Sequence, residues 1–164
     1  MKDKFKNLIK ILDKEIDAYE KLKVLFEEKK ELLIKAKSED LGVLDNKILA
    51  AHNSIVKLNN TRKSAAAELI SEEATMSQFI ELAEENEPDF KEPLMLRKDK
   101  ICNISKDLVL LNNQNVELIK HGIIITDKML ETIVDAFAPQ GSIYNGAGKT
   151  DTRDYDMWTV NEEI

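Results

Sequence analysis

One glycine-rich run near the C-terminus has the composition of a phosphate-binding loop. Residues 146–150 read GAGKT, and a loop of the form G-x-x-x-x-G-K-[ST] between a strand and a helix cradles phosphates with its backbone N–H groups. The first glycine of that pattern would have to stand at position 143, which is Ile143. No strand pattern precedes the run and no helical pattern follows it, so the sequence does not predict nucleotide binding.

The histidines, the cysteine and the carboxylates give no second candidate for chemistry. His52 and His121 fall in different predicted helices, and neither has another ligand at the spacing of a metal site. The single Cys102 excludes an intramolecular disulfide and is expected to be a small core residue in a reducing compartment. Asp and Glu residues lie on polar helix faces, where no pair is marked as a general acid and base. We therefore expect no metal, no cofactor and no enzymatic activity.

The charge balance and the hydropathy restrict the kinds of partner. The net charge of −7 argues against nucleic acid, because neutralising phosphates needs a basic face. The start of the chain lacks the basic segment and apolar run of a signal peptide, and no stretch reaches the ~18 apolar residues of a membrane span. The sequence predicts a cytoplasmic protein without membrane insertion.

The composition predicts long helices rather than a sheet. Charged residues make up 34% of the chain and aromatic residues 5%, with five glycines and three prolines. We expect an all-α fold in which a helical hairpin, a short helix and a long C-terminal helix form an antiparallel, coiled-coil-like bundle. One domain would span 1–137, followed by a flexible Gly- and Asp-rich tail at 138–164. The predicted helices cover about 2–37, 41–70, 72–85 and 92–137.

Apolar residues that recur every seven positions indicate helix-helix seams in the first two helices. In the first helix this repeat consists of Phe5, Leu12, Tyr19, Phe26 and Leu33. Glu15 breaks the adjacent seam, and in the second helix Arg62 takes a position where an apolar residue is expected. We interpret Arg62 as an edge residue whose methylenes follow the seam while its guanidinium lies in solvent. Ser38 or Asp40 is the expected N-cap of the second helix, and Ser71 that of the third.

The last helix carries more apolar surface than one neighbouring helix would cover. Two adjacent apolar stripes between Ile101 and Phe137 span about half of its circumference, whereas a helix covered by one neighbour needs an arc only a little over 100° wide. Large exposed apolar patches are rarely tolerated. The surplus therefore predicts a binding surface, and we expect the free protein to form a homo-oligomer through 101–137.

Two features around this surface allow more than one interpretation. The four amides of residues 112–115 interrupt the most apolar part of the helix, either to fix its register or to hydrogen-bond a guest helix. After the end of this helix in the sequence, the segment Ile143-Tyr144-Asn145-Gly146 is either an ordinary turn or a turn that presents the Tyr144 ring for docking. The apolar clusters of the tail would pack back onto the bundle or fold onto a partner.

Four segments, taken in their order and spacing, resemble the FlgN family of flagellar type III export chaperones. They are EKLKVLFEEKKELLIKAKSEDL in the first helix, LNNTRKSAAAEL with Arg62 in the second, LNNQNVELIKHGI in the last, and IYNGAGK in the tail. The resemblance covers most of residues 5–149. It implies an all-α fold of long antiparallel helices with a mobile C-terminal part.

The resemblance also implies partners and a site. Members of the family bind the C-terminal helical segment of the hook-associated proteins FlgK and FlgL in the cytoplasm, prevent premature assembly and deliver the client to the export gate. Tyr144 matches the tail tyrosine that docks at the gate. The residues that match the client-binding helix are Leu108, Leu111, Asn112, Asn115, Leu118, Ile119 and Ile123.

A second interpretation remains open beside the chaperone. The same seams would suit a structural coiled-coil homodimer, or a fixed subunit of a secretion or cell-envelope assembly. A structural rod has no evident use for a tail that carries Tyr144 and Trp158, whereas a delivery factor has one. The sequence therefore favours the chaperone.

Overall fold

Four α-helices and one 3₁₀ turn make up residues 1–137, the part of the chain that the computed structural model describes, with side chains to residue 134. The predicted all-α fold, with a hairpin, a short helix and a long C-terminal helix, is confirmed. The predicted tail, with Tyr144 and Trp158, lies outside the described residues. The helices are α1 (Lys2–Ile34), α2 (Ser38–Ala67), α3 (Met76–Asn86) and α4 (Lys91–Phe137), with the 3₁₀ turn at Pro88–Phe90.

A tight turn folds α1 and α2 into the hairpin. Ala36 takes the left-handed conformation (φ 51°), its N–H donates to the Leu33 carbonyl, and the N–H of Lys37 donates to the Leu32 carbonyl. These two bonds form a Schellman motif, which satisfies the last carbonyls of a helix. The chain then enters α2 directly at Ser38, with Lys37 as its N-cap and no side-chain cap. The expectation that Ser38 or Asp40 caps α2 is therefore wrong.

The start of α3 differs from the predicted one. Ser71 lies in a turn, where its carbonyl accepts from the Ala74 N–H, and Thr75 is the N-cap. The Gln78 N–H donates to Thr75 Oγ1 (3.4 Å), and the Thr75 N–H donates to Gln78 Oε1 (2.8 Å). This reciprocal capping box needs Glu or Gln three residues after the cap. Thr75 has Gln78 there and Ser71 has Ala74, so the helix begins at Met76.

Replacing Thr75 with alanine is expected to lower the free energy of unfolding by about 1 kcal/mol, because the Gln78 N–H loses its acceptor, Thr75 Oγ1. Urea denaturation of the two proteins measures the difference. Thr61→Ala, at an exposed position inside α2 where Thr61 Oγ1 bonds only the Lys57 carbonyl, is the matched control and should change stability by less. Equal changes in the two variants would contradict the role of the capping box.

The buried core lies where the start of α1, the end of α2, α3 and the start of α4 meet. Phe5 and Phe90 stack there with ring centroids 5.5 Å apart. Burial of apolar surface at roughly 25 cal/mol per Å² makes this region the most stable part of the bundle. We call it the base cluster, and its buried residues are Phe5, Leu8, Leu12, Ala66, Ala74, Phe79, Ala83, Phe90 and Leu94.

Helix α4 runs parallel to α1 and therefore antiparallel to α2. Side-chain hydrogen bonds join the pairs Asp13–Arg97, Lys23–Asp107 and Lys30–Gln114, and each pair is separated by 84 residues. With this constant offset the last residue of α1 is level with residue 118 of α4. Residues 119–125 of α4 therefore extend beyond the end of α1, and all of them are exposed.

The chain divides into a compact unit of residues 1–125 and a second unit that begins at Thr126. The described part of the second unit is the end of α4, in which the large apolar side chains are exposed. Within residues 1–137 no helix has the length and apolar character needed to cross a membrane. The exposed apolar residues of this second part are Met129, Leu130, Ile133 and Val134.

Candidate partner-binding helix

The seven residues predicted to bind a client helix divide between two faces of α4. Asn112, Ile119 and Ile123 are exposed. The other four are turned toward the rest of the bundle: Asn115 is buried, and Leu108, Leu111 and Leu118 are half-buried. We call the first set, with its apolar neighbours, the open face, and the second set the seam face.

The open face is strongly apolar although it lies in solvent. Ile119 is 38% and Ile123 56% exposed, and Val109, which was not among the predicted site residues, is 61% exposed. An exposed patch of this kind marks a protein–protein interaction site more often than an ordinary surface. Within residues 1–125 the large apolar residues of this face are Val109, Val116, Ile119 and Ile123; Leu110, Ile124 and Ile125 are also exposed, on other sides of α4.

The seam face meets α1 through a polar residue at its centre. Asn115 is 4% exposed, and its Nδ2 donates to the Phe26 carbonyl of α1 (3.0 Å). Its Oδ1 is buried without a hydrogen-bond partner, an arrangement that costs about 1–3 kcal/mol. Asn112 and Asn113 are exposed. For Asn115 the geometry agrees with the register interpretation, because one buried amide aligns α4 with α1.

Charged pairs follow the rim of the same seam. Arg97 binds the Asp13 carboxylate through Nε and Nη2, both at 2.8 Å, and Lys100 lies 2.9 Å from Glu20. Each pair is partly or largely exposed, so each contributes about 0–1 kcal/mol. The rim fixes the relative position of α1 and α4 more than it binds them together.

The rim also contains a hydrogen-bonded ion pair between Lys23 of α1 and Asp107 of α4. Lys23 Nζ donates to Asp107 Oδ2 at 2.6 Å. This hydrogen bond raises the pKa of the Lys23 ammonium. Lys23 therefore remains a cation across the physiological pH range.

An open cleft lies where α1 ends beside α4. Its volume is about 640 Å³, and Lys30 and Ile34 of α1 face Gln114, Leu118 and His121 of α4 across it. Lys30 Nζ donates to Gln114 Oε1 at 2.8 Å and bridges the mouth. The seam between the two helices is therefore unfilled at its far end.

Arg62 is bonded inside the hairpin, which corrects the expectation that its guanidinium lies in solvent. Arg62 Nε donates to Glu15 Oε1 (3.1 Å), and Nη2 donates to Asn59 Oδ1 (2.6 Å). Glu15 is 2% exposed, and burial raises the pKa of its carboxyl while the charge and hydrogen bond of Arg62 lower it. Burial and the Glu15 charge also raise the pKa of Tyr19. Arg62 thus stabilises a buried carboxylate, which a solvent-facing arginine would leave unpaired.

The cysteine and the two histidines do not come together in the structure. Cys102 is exposed rather than a core residue, because its position on α4 is turned away from the bundle. His52 and His121 lie on different helices and are exposed. Among residues 1–137, no group of three or more His, Cys, Asp or Glu side chains is placed to hold a metal ion.

The fold is a helical hairpin packed against the long helix α4, and α4 carries an open apolar face. These features define a helical protein-binding module. Residues 1–152 match the family model described as FlgN protein. The chain belongs to the FlgN family, a family of flagellar export chaperones rather than of enzymes. Searches of curated protein sequences and of solved structures returned no match.

Proposed function

We propose that this chain is a cytoplasmic chaperone for hook-associated proteins of the FlgK and FlgL type. It binds the C-terminal helical segment of the client, prevents premature assembly and delivers the client to the flagellar export gate. The observation that carries this proposal is the open apolar face of α4 in a member of a flagellar chaperone family. Such a face fits a client whose own apolar helix must be kept from self-association.

The spacing on the open face suits an amphipathic client helix. Val116, Ile119 and Ile123 follow one another at intervals of three and four residues, so they lie on one side of α4. A helix that lies in a groove uses anchors at such intervals. Asn112, four residues before Val116 and exposed, adds an amide that can bond polar groups of the client. An interface of about 800 Å² per partner would give a specific complex.

The remaining residues of the proposed site are Leu108, Leu111, Asn115 and Leu118 of the seam face. For delivery, we assign gate docking to Tyr144 of the tail. A Tyr144→Ala variant should then retain client binding in vitro while export of the client in cells falls. Loss of client binding in this variant would contradict the separation of the two roles.

The test is a calorimetric titration with a peptide that spans the C-terminal helical segment of a hook-associated protein. Wild-type protein should bind one to one at micromolar Kd, about −8 kcal/mol. An Ile119→Asp, Ile123→Asp variant should lose at least tenfold in affinity, because it places two charges in the apolar interface. Leu49→Asp makes the same kind of change at an exposed apolar position of α2 and should leave binding within twofold.

Absence of wild-type binding, or equal loss in Leu49→Asp, would refute the chaperone site on α4. If the free protein is then a dimer that the Ile119→Asp, Ile123→Asp variant dissociates, the open face serves self-assembly. The structural coiled-coil interpretation would replace the chaperone.

A further inference from the structure

The α1–α4 seam changes character along its length. At the base cluster its side chains are apolar and fully buried, for example Leu12 and Leu94. Beyond Ile104, Asn115 is the one buried residue among the described side chains of α4, and one of its two polar atoms has no partner. On the α1 side, residues 17–34 include no buried residue. The far half of the seam therefore holds much less apolar surface than the base.

The Lys23 and Lys30 bonds that cross the far half add little stability. Lys23–Asp107 lies at the surface, and the Lys30–Gln114 bond spans the mouth of the open cleft. An exposed ion pair exchanges readily for water, which solvates both charges. The cleft itself leaves Ile34 and Leu118 with an unfilled space between the helices. Opening from this end would break few favourable contacts.

We infer that α4 separates from the C-terminal half of α1 over residues 105–118 while the base cluster stays packed, and that the client helix enters this opened seam. The opened surface adds Leu108, Leu111 and Leu118 to the open face, so the client is covered on two sides. Asn115 keeps the closed seam weak and presents its free Oδ1 to an N–H donor of the client. That the partner is a client helix rests on the proposed function.

A chemical link across the far end tests the opening directly. In a Cys102→Ser background, Lys30→Cys and Gln114→Cys are joined by a short bismaleimide, and the linked protein is titrated with the client peptide beside the same variant left unlinked. Linking should lower the affinity at least tenfold, because the seam cannot open. The matched control joins Asp13→Cys to Arg97→Cys at the base end and should change affinity less than twofold. Unchanged affinity after linking positions 30 and 114 would overturn the inference.

Hydrogen exchange in the free protein gives a test that needs no client. Asn115→Leu fills the seam with an apolar side chain and should slow amide exchange in residues 105–118 at least threefold, because a helix detached from its neighbour frays. Asn103→Leu, at an exposed position of α4, should leave exchange there unchanged. Wild-type exchange rates in Asn115→Leu would overturn the inference. Absence of client binding by the wild type would refute the proposed function alone, and the exchange result would still decide whether the seam opens.

Discussion

Replacing Arg62 with methionine is expected to lower the free energy of unfolding by about 3 kcal/mol at pH 7. Methionine keeps most of the apolar stem but leaves the Glu15 carboxylate, 2% exposed, without its cation. Breaking a buried pair from one side typically costs 3–5 kcal/mol, because an uncompensated charge remains inside. The side chain of Arg62 is 27% exposed, so water can reach the site and we expect the lower end of that range. Urea denaturation measures the loss.

The pH dependence identifies the buried charge as the cause. Burial raises the pKa of the Glu15 carboxyl in the folded protein above its ordinary value, because the charge and hydrogen bond of Arg62 lower it by less. In Arg62→Met the lowering interactions are gone, so the folded-state pKa rises further. A group with a raised folded-state pKa contributes stability that is fully present below its unfolded pKa and is lost as the pH rises through the folded pKa. The difference between variant and wild type should therefore shrink as the pH falls from 7 to about 4.5.

A double variant supplies the control for this prediction. Glu15→Leu combined with Arg62→Met removes both charges and should be about as stable as the wild type or more so, since apolar replacement of a buried pair is often neutral or stabilising. If Arg62→Met loses the same stability at pH 7 and pH 4.5, lost packing rather than the Glu15 charge would be responsible.

Phe79→Ala is expected to lower the free energy of unfolding by about 4 kcal/mol. Phe79 is completely buried at the centre of the base cluster, and removing a buried phenylalanine ring typically costs 3–5 kcal/mol through lost burial and the cavity left behind. Thermal or urea unfolding gives the value. Phe79→Leu keeps an apolar side chain of similar reach, and its cost should be about 1 kcal/mol. A loss below about 1.5 kcal/mol in Phe79→Ala would show that the main core lies elsewhere.

The sequence predicted the helices well because their signals are local. The seven-residue repeats and the scarcity of glycine and proline define α1, α2 and α4 within a few residues of the observed ends. The start of α3 was missed although its signal is local too, since Thr75 and Gln78 form a complete capping box and Ser71 does not. The pairing of Thr75 with Gln78 three residues later therefore marks the start of α3 in the sequence itself.

The environment of Arg62 could not be predicted in the same way. Its partner Glu15 lies 47 residues earlier in the chain, and only the alignment of α1 with α2 brings the two together. Both residues had been recognised as polar interruptions of apolar seams. Each interruption is a local signal, but which two interruptions meet depends on how the helices align.

The sequence also could not show which residues of the candidate site are exposed. The stripes of α4 identified apolar residues, but they did not show which of them α1 would cover. That division depends on the offset between α1 and α4, which is a property of the folded chain. Asn115 therefore belongs to the seam, while Val109 and Leu110 are exposed.

The offset between α1 and α4 also restricts how the length of this chain can change. Because the offset of 84 residues is the same at all three bonded pairs, α1 and α4 keep one register along their seam. Inserting one residue between Asp107 and Gln114 would turn everything beyond it by about 100°. Asn115 would then leave α1, and the residues beyond it would no longer face the neighbours they face now. Within the paired helices, homologous chains should therefore gain or lose residues in sevens, since such changes keep the same residues facing the seam.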